Sequence, residues 1–551
     1  EKDFTDKLNF FVYGGGAYQK ISDNNMYAST GQSGLIFPNW YSFNNQDLTR
    51  WPGPGQSGLV RGGIRGSDVL YSLLGSATVS YKGTWYFEVQ ARNDWNSTLE
   101  APNYSYFYPG ASLTWNFSND FSIPRLQYGK FRFAWADVGG GPTTAVGDRY
   151  FALNAFSVGQ IPYPDGPASV SPPASLFLEK IRPFRKREFE AGFNTRWFER
   201  SRLEIDFSFY TNNVYDQIIA LPISSATAYS TFKVNVGNVK NWGYELFVKA
   251  APLATSKFRW DLTFTAAHQQ SQVKKIFGDI RTKPITGNDG FRVIAEEGKP
   301  LGNIEMYDYE RDPAGNPIVG SNGNYVLTDT RKTVGNVNPK VFGGIYSDFM
   351  FKGFNLHIGI DYKFGGRIFS YTNYYLMGTG AIEASLPGRD ESKGGLAYYI
   401  QSGTNTRIPW QHDQPAPADA AGGLVYHDGM ILPGVMADGN AYKPNTTIIS
   451  SVAYYQSYIN DLSTSWPPDR LFKNDYIKLR EISINYSIPA RVSSRLGLQK
   501  VTVTAGARNL GYIHKTVPNI DPEATLGAQG YIENSFYPSV RSFIFGVNVS
   551  F

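Results

Sequence analysis

Apolar and polar residues alternate with a period of two in segment after segment of this chain, and each segment holds its phase. Phe258, Trp260, Leu262 and Phe264 alternate with Arg259, Asp261 and Thr263, as Leu203, Ile205, Phe207 and Phe209 do with Glu204, Asp206 and Ser208. Ala111, Leu113, Trp115 and Phe117 stand opposite Ser112, Thr114, Asn116 and Ser118. Leu356, Ile358, Ile360, Tyr362 and Phe364 stand opposite His357, Gly359, Asp361 and Lys363. Ile482, Ile484, Tyr486 and Ile488 oppose Glu481, Ser483, Asn485 and Ser487. The end of the chain sets Phe543, Phe545, Val547, Val549 and Phe551 against Ser542, Gly546, Asn548 and Ser550. Successive side chains of a strand point to opposite faces, so the pattern demands β-strands with one apolar and one polar face.

A β-sandwich would alternate too, because one face of each sheet packs into a core. Three features favour a closed transmembrane barrel instead. The polar face carries many small and charged residues, as a wet lumen does. The strands run roughly 10 to 14 residues, enough to cross a bilayer at a tilt of about 45°. The connections alternate between short and long: Gly83, Ser201 and Gly353 sit in tight links, whereas about 18–66, 140–182, 275–338 and 366–473 are long loops. The reading is therefore all-β, a transmembrane antiparallel β-barrel with about 14 strands in this chain. They are expected near 7–17, 67–81, 84–95, 105–118, 127–139, 186–198, 202–216, 239–251, 257–272, 340–351, 354–365, 474–488, 499–510 and 540–551.

Composition agrees. Aromatic residues make up 15% and charged residues 18%, with 56 Gly, which suits strands, tight turns and aromatic girdles. No run of about 18 apolar residues exists that would span a bilayer as a helix. The absence of Cys excludes disulfides and thiolate metal sites, and a net charge of +5 over 551 residues gives no case for nucleic acid. The first residues, Glu1 to Asp6, are not an export signal.

Several stretches stand out in order along the chain. They are Arg92-Asn-Asp-Trp-Asn-Ser-Thr-Leu99, Ser105-Tyr-Phe-Tyr-Pro109 with Ser112-Leu-Thr-Trp115, and Val234-Asn-Val-Gly-Asn-Val-Lys-Asn-Trp-Gly-Tyr-Glu-Leu246. Then follow Asp475-Tyr-Ile-Lys-Leu-Arg-Glu-Ile-Ser-Ile-Asn-Tyr-Ser-Ile-Pro489, Arg508-Asn-Leu510, Asp521-Pro-Glu523 and the terminal strand. In this order they resemble the SusC/RagA family of TonB-dependent outer-membrane transporters. The resemblance implies a barrel of about 22 strands, of which roughly eight lie outside this chain. It also implies a carboxypeptidase-like domain, a TonB box and a plug ahead of the matching region. None is legible here, so the chain reads as the C-terminal part of the barrel, completed by an upstream segment or by a second polypeptide. An open sheet edge in lipid costs several kcal/mol for each unsatisfied group. Gly546, Val549 and Phe551 fit the pattern by which the barrel-assembly machinery recognises a last strand; the plain alternative is an edge strand that ends in Phe.

By the same resemblance the complete protein sits in the bacterial outer membrane, in contact with its lipid. It imports a large nutrient, an oligosaccharide or oligopeptide, with a SusD-like surface lipoprotein, and TonB acts through the missing plug. The alternative is a structural or interaction subunit of a larger outer-membrane complex. No catalytic constellation, metal site or cofactor motif stands out, so an enzyme is not expected. The histidines His268, His357, His412, His427 and His514 show no paired-ligand spacing. Gly14-Gly-Gly16 lacks the rest of a phosphate-binding loop, and Asn322-Gly-Asn324 reads as a turn. The Pro-rich stretch 161–175 and the segment 366–473 are the distinctive insertions, and the latter holds Tyr398, Tyr399, Trp410, Tyr454, Tyr455 and Trp466. These aromatics suit stacking on a ligand, packing of the loop on itself, or contact with a lipoprotein lid.

Overall fold

The computed structural model describes the chain apart from residues 1, 6, 30–59, 142–156, 159–169, 172–174, 178–180, 223–230, 288–289, 461–468, 470, 526–529 and 535–536. Trp466 and most of the Pro-rich stretch lie outside the described residues. One sheet holds fourteen long strands whose order follows the chain. They are β1 (Leu8–Ser29), β2 (Val60–Tyr81), β3 (Trp85–Asn96), β4 (Ser105–Trp115), β5 (Leu126–Gly140), β6 (Phe184–Trp197) and β7 (Leu203–Pro222). The others are β8 (Thr231–Ala254), β9 (Phe258–Lys275), β10 (Val341–Phe351), β11 (Phe354–Phe364), β12 (Tyr476–Ser487), β13 (Lys500–Lys515) and β14 (Ser542–Ser550).

Each expected strand is present, but several run further than the alternation reaches. Within the segment 18–66, expected as a loop, residues 18–29 and 60–66 lie in strands, because β1 and β2 stay paired from Leu8↔Tyr81 out to Ser29↔Val60. The far half of β1 reads Tyr18-Gln-Lys-Ile-Ser-Asp-Asn-Asn25, with no alternation. Where both faces meet water, hydrophobic patterning lapses while the hydrogen-bond ladder continues.

The chain divides into two compact units, one made of 1–122, 130–192 and 210–240, the other of 123–129, 193–209 and 241–551. In the first unit, antiparallel pairing builds rows of side chains on a common face. Leu8, Tyr81, Trp85, Trp115 and Phe131 form one row; Phe10, Val79, Phe87, Leu113 and Phe133 form the next; Val12, Ala77, Val89, Ala111 and Trp135 form a third. All three rows are apolar, and Phe87, Val89, Phe133 and Trp135 are exposed. The outermost row is nearly all aromatic and lies at the tight-turn end, where amphipathic rings mark a membrane boundary. Within it the Trp85 and Trp115 rings stack 4.9 Å apart. The opposite face is polar, as in the row Asn9, Ser80, Tyr86, Thr114 and Arg132.

The second unit repeats the arrangement. Phe258, Phe351, Phe354, Tyr486, Val503 and Val547 share one row, and Trp260, Phe349, Leu356, Ile484, Ala505 and Phe545 the next. The link between β10 and β11 is two residues, Lys352 and Gly353, with φ of 45° and 89°. Two positive φ values match the twist of the flanking strands, and Gly adopts them without steric cost.

The long segments 275–338 and 366–473 are not structureless. Strands Thr282–Gly287, Phe291–Glu296, Asn303–Met306 and Lys332–Asn336 form one small sheet, and Arg407–Pro409, Leu396–Gln401, Ala420–Ile431 and Ile448–Ser450 another. Two helices, α1 (Tyr371–Gly378) and α2 (Ser451–Asn460), accompany them. The main apolar core lies here: Phe291, Ile304, Met306, Phe369, Tyr374 and Tyr458 are buried together in this outer layer. Helix α1 begins at Ser370, whose hydroxyl accepts from the Asn373 N–H, and buried Glu533 accepts from the Ser370 hydroxyl at 2.6 Å.

Candidate functional site

The polar face of β12 carries the densest charge cluster. With a strict period of two, Tyr476, Lys478 and Arg480 would share the face of Ile482, Ile484 and Tyr486. Two cations would then point at lipid, costing about 2–4 kcal/mol each near mid-membrane. A β-bulge prevents this. Gly359 pairs with Glu481 but Ile360 with Leu479, so Arg480 is the extra residue. Before it the phase is reversed: Lys478 lies opposite Asp361 and Tyr476 opposite Lys363, on the polar face.

There the cations meet the segment that follows β13. Lys478 Nζ donates to Glu523 Oε2 at 2.5 Å and to the Ser539 hydroxyl at 3.1 Å. Arg480 donates to Glu523 at 2.5 and 3.1 Å, to Asp361 at 2.5 Å and to Asn509 at 3.0 Å. The Tyr476 hydroxyl donates to Glu523 at 2.9 Å. Asp521 accepts from the Tyr512 hydroxyl, from the Ser539 N–H at 2.8 Å and from the Glu523 N–H at 2.9 Å. Burial alone would raise both carboxyls. Asp521 is nevertheless held well below the usual range by the Ser539 and Tyr512 donors, and Glu523 is lowered by Arg480 and Lys478. The cluster ties the outer segment 516–541 onto the wall. Tyr476, Lys478, Arg480, Asp521 and Glu523 belong to the stretches Asp475 to Pro489 and Asp521 to Glu523, so these stretches encode wall-to-loop ties.

The first unit has its own ties. Arg92 donates to Asp94 at 2.7 Å and to Ser72 at 2.9 Å, and the Tyr108 hydroxyl donates to Asp94 at 2.5 Å. Asp137 is held by Arg185 and Arg187, each at 3.1 Å. Asn235 accepts from the Arg182 N–H at 2.7 Å and donates to the carbonyls of Arg182 and Asp216 at 2.7 and 2.9 Å.

The aromatics singled out in the outer layer fall into two groups. Tyr398, Tyr399 and Tyr455 are buried, whereas Trp410 and Tyr454 are half-buried. Tyr398 stacks on Tyr426 at 5.2 Å and donates to Asp428, and burial pushes its hydroxyl up to about 12. Trp410 meets Tyr399 edge to face at 5.4 Å, and Tyr455 donates to the Pro387 carbonyl at 3.0 Å. Tyr454 and Tyr458 are joined hydroxyl to hydroxyl at 2.9 Å. These rings pack the layer together.

A cleft of 630 Å³ opens at the outer end of β9, β10 and β11. Gln269, Asn336, Asn338, Lys340, Arg367 and Lys473 line it, so it offers amides and cations to a polar solute. Sequence reasoning missed it, because its lining comes from five separated segments and no local pattern joins them.

At the chain end, Gly546 pairs with Thr504 on the polar face and Val549 with Val501 on the apolar face. Phe551 follows one residue beyond β14 and is 86% exposed. Among the described residues, the other edge of β14 carries no strand. Of the histidines, His357 lies on the polar face, 2.9 Å from Asp348, and His268 approaches the Lys340 carbonyl. His412 and His427, far apart in sequence, converge on Glu391.

With this geometry in view, four likenesses are informative. The family model described as TonB dependent receptor-like, beta-barrel matches residues 2–510. TonB-dependent receptor P3 of Formosa agariphila is 21% identical across 98% of this chain and 50% of its own length. TonB-dependent receptor SusC of Bacteroides thetaiotaomicron is 24% identical across 38% of this chain and 21% of its own length. Among solved structures, the RagAB peptide transporter superposes with a TM-score of 0.70 at 15% identity, over 100% of this chain and 54% of that one. This last likeness is one of fold. The chain thus spans about half the length of the first relatives it matches.

Proposed function

The chain belongs to the TonB-dependent receptor-like β-barrel family, and on that premise we propose that it supplies the wall and outer loops of an active importer for a large nutrient. Its place is the bacterial outer membrane, as for SusC and RagA-type barrels. The cargo is an oligosaccharide or an oligopeptide, taken up with a SusD-like surface lipoprotein as partner. TonB delivers the energised step through a plug of the kind the family resemblance implies. The observation that carries the proposal is the family match over residues 2–510, joined to an outer layer with its own core and an amide- and cation-lined cleft. Import of a peptide is supported by the likeness to the RagAB peptide transporter.

The test is uptake by cells carrying or lacking the full-length gene, offered fluorescent oligopeptides and oligosaccharides in parallel. Loss of uptake of one class on deletion, on dissipating the proton gradient and on deleting TonB supports import and names the cargo. Unchanged uptake of every class, with the protein still held in a large outer-membrane assembly, would move the assignment to a structural subunit.

A further inference from the structure

We propose that Glu391, His412 and His427 form a divalent metal site, for zinc by ligand chemistry, that fastens three segments of the outer layer. The three side chains each bring one candidate ligand atom, and these atoms lie within 4.8 Å of one another. Small rotations of the three side chains bring all three atoms to the distance of about 2.0–2.2 Å at which such an ion binds nitrogen and carboxylate oxygen. Glu391 Oε1 lies 2.5 Å from His427 Nδ1, Oε2 meets His412 Nε2, and the two imidazole rings are 5.5 Å apart. A single carboxylate is thus shared by two imidazoles. As ion pairs on a wet surface these contacts would contribute little on their own. A dication satisfies all three ligands at once.

The backbone delivers the ligands to fixed positions. Glu391 opens the short turn Glu391–Lys393, capped by Asp390, whose carboxylate accepts from the Lys393 N–H at 3.1 Å. Gly395 lets this turn close on the strand Ala420–Ile431, for a Cβ there would lie 2.3 Å from the His427 carbonyl. His412 follows Trp410, whose ring is set against Tyr399 and whose N–H donates to the Gln414 carbonyl at 3.3 Å. Nε2 is the His412 nitrogen that faces Glu391 and is the ligand atom, while Nδ1 lies 3.8 Å from Asp413, beyond hydrogen-bond reach. No sulfur is present, and two imidazoles with one carboxylate suit zinc, with an open position for water or an incoming carboxylate. His412 is 63% exposed, so that position faces solvent.

The experiment is calorimetric titration of Zn²⁺ into the intact full-length protein, purified in detergent without a histidine tag and stripped with EDTA, with Co²⁺ absorption spectra as a second readout. The expected result is one equivalent bound per chain, weakened at least about tenfold in H412N, in H427N and in E391Q. A Co²⁺ d–d band present in the wild type should be lost in the variants. Because His412 is exposed, H412N leaves the fold unperturbed and reports on the ligand alone. Absence of stoichiometric binding in the wild type, or equal binding in H412N, overturns the proposal.

Discussion

Replacing Glu523 by Gln tests the tie between β12 and the outer segment most directly, since Gln keeps the volume and one acceptor but removes the charge. Lys478 Nζ lies 2.5 Å from Glu523 and 4.0 Å from Asp521. At an effective dielectric of about 20 these separations correspond to about 7 and about 4 kcal/mol of gross attraction. Much of that offsets the desolvation of Lys478, whose side chain is only 2% exposed. Stripping one partner from a buried pair costs about 3–5 kcal/mol, and the surviving Asp521 sets the expectation at the low end, about 3 kcal/mol. Arg480 keeps Asp361 and is not stranded. The double variant K478M/E523Q removes both charges and should return to within about 1 kcal/mol of the wild type. The assay is urea unfolding of the full-length protein in lipid vesicles, with hydrogen exchange across residues 516–541 to locate the loss. The reasoning fails if E523Q shifts stability by less than about 0.5 kcal/mol, or if the two substitutions simply add.

Three further outcomes are expected. Both carboxyls of the tie sit below their ordinary values, so their contribution is complete above the unfolded pKa and is lost as pH falls through the lower, folded value. The urea midpoint should hold from pH 7 to about pH 5 and drop below about pH 4; a fall already between pH 7 and 5 would assign the tie to other groups. Gly353→Ala places a side chain at φ of 89°, its Cβ 2.9 Å from the Ser487 carbonyl, and should cost about 1–2 kcal/mol in the same unfolding assay. Deleting Phe551 should lower the amount of heat-modifiable barrel in the outer membrane several-fold, while protein refolded in detergent keeps its stability; equal outer-membrane levels would leave Phe551 as an ordinary strand end.

The wall was legible because lipid on one side and water on the other impose a period of two on every strand crossing the bilayer. Phe258 through Phe264 and Phe543 through Phe551 fall on the face that simple parity assigns them. Parity failed at Lys478 and Arg480, where a bulge at one residue reverses the phase. The signal was available: two cations on an otherwise apolar parity, beside an Ile-Ser-Ile stretch, ask for a register break. The ends of β1 and β2 escaped because outside the membrane nothing enforces alternation. The outer layer was read as loops because its core is assembled from Phe291, Phe369, Tyr458 and Ile532, residues far apart in sequence with no shared period. Glu391, His412 and His427 were unreadable for the same reason, since their meeting depends on strand pairing and on the close approach at Gly395.

The separate apolar core of the outer layer also bears on how such a chain changes over generations. Each wall residue is judged row by row against neighbours on two strands and against lipid, so most substitutions there are felt across the sheet. Residues of the layer answer instead to Phe291, Ile304, Met306 and their companions, a compact buried group. Selection can therefore remodel this layer, lengthening or reshaping it, while inheriting the strand wall unchanged.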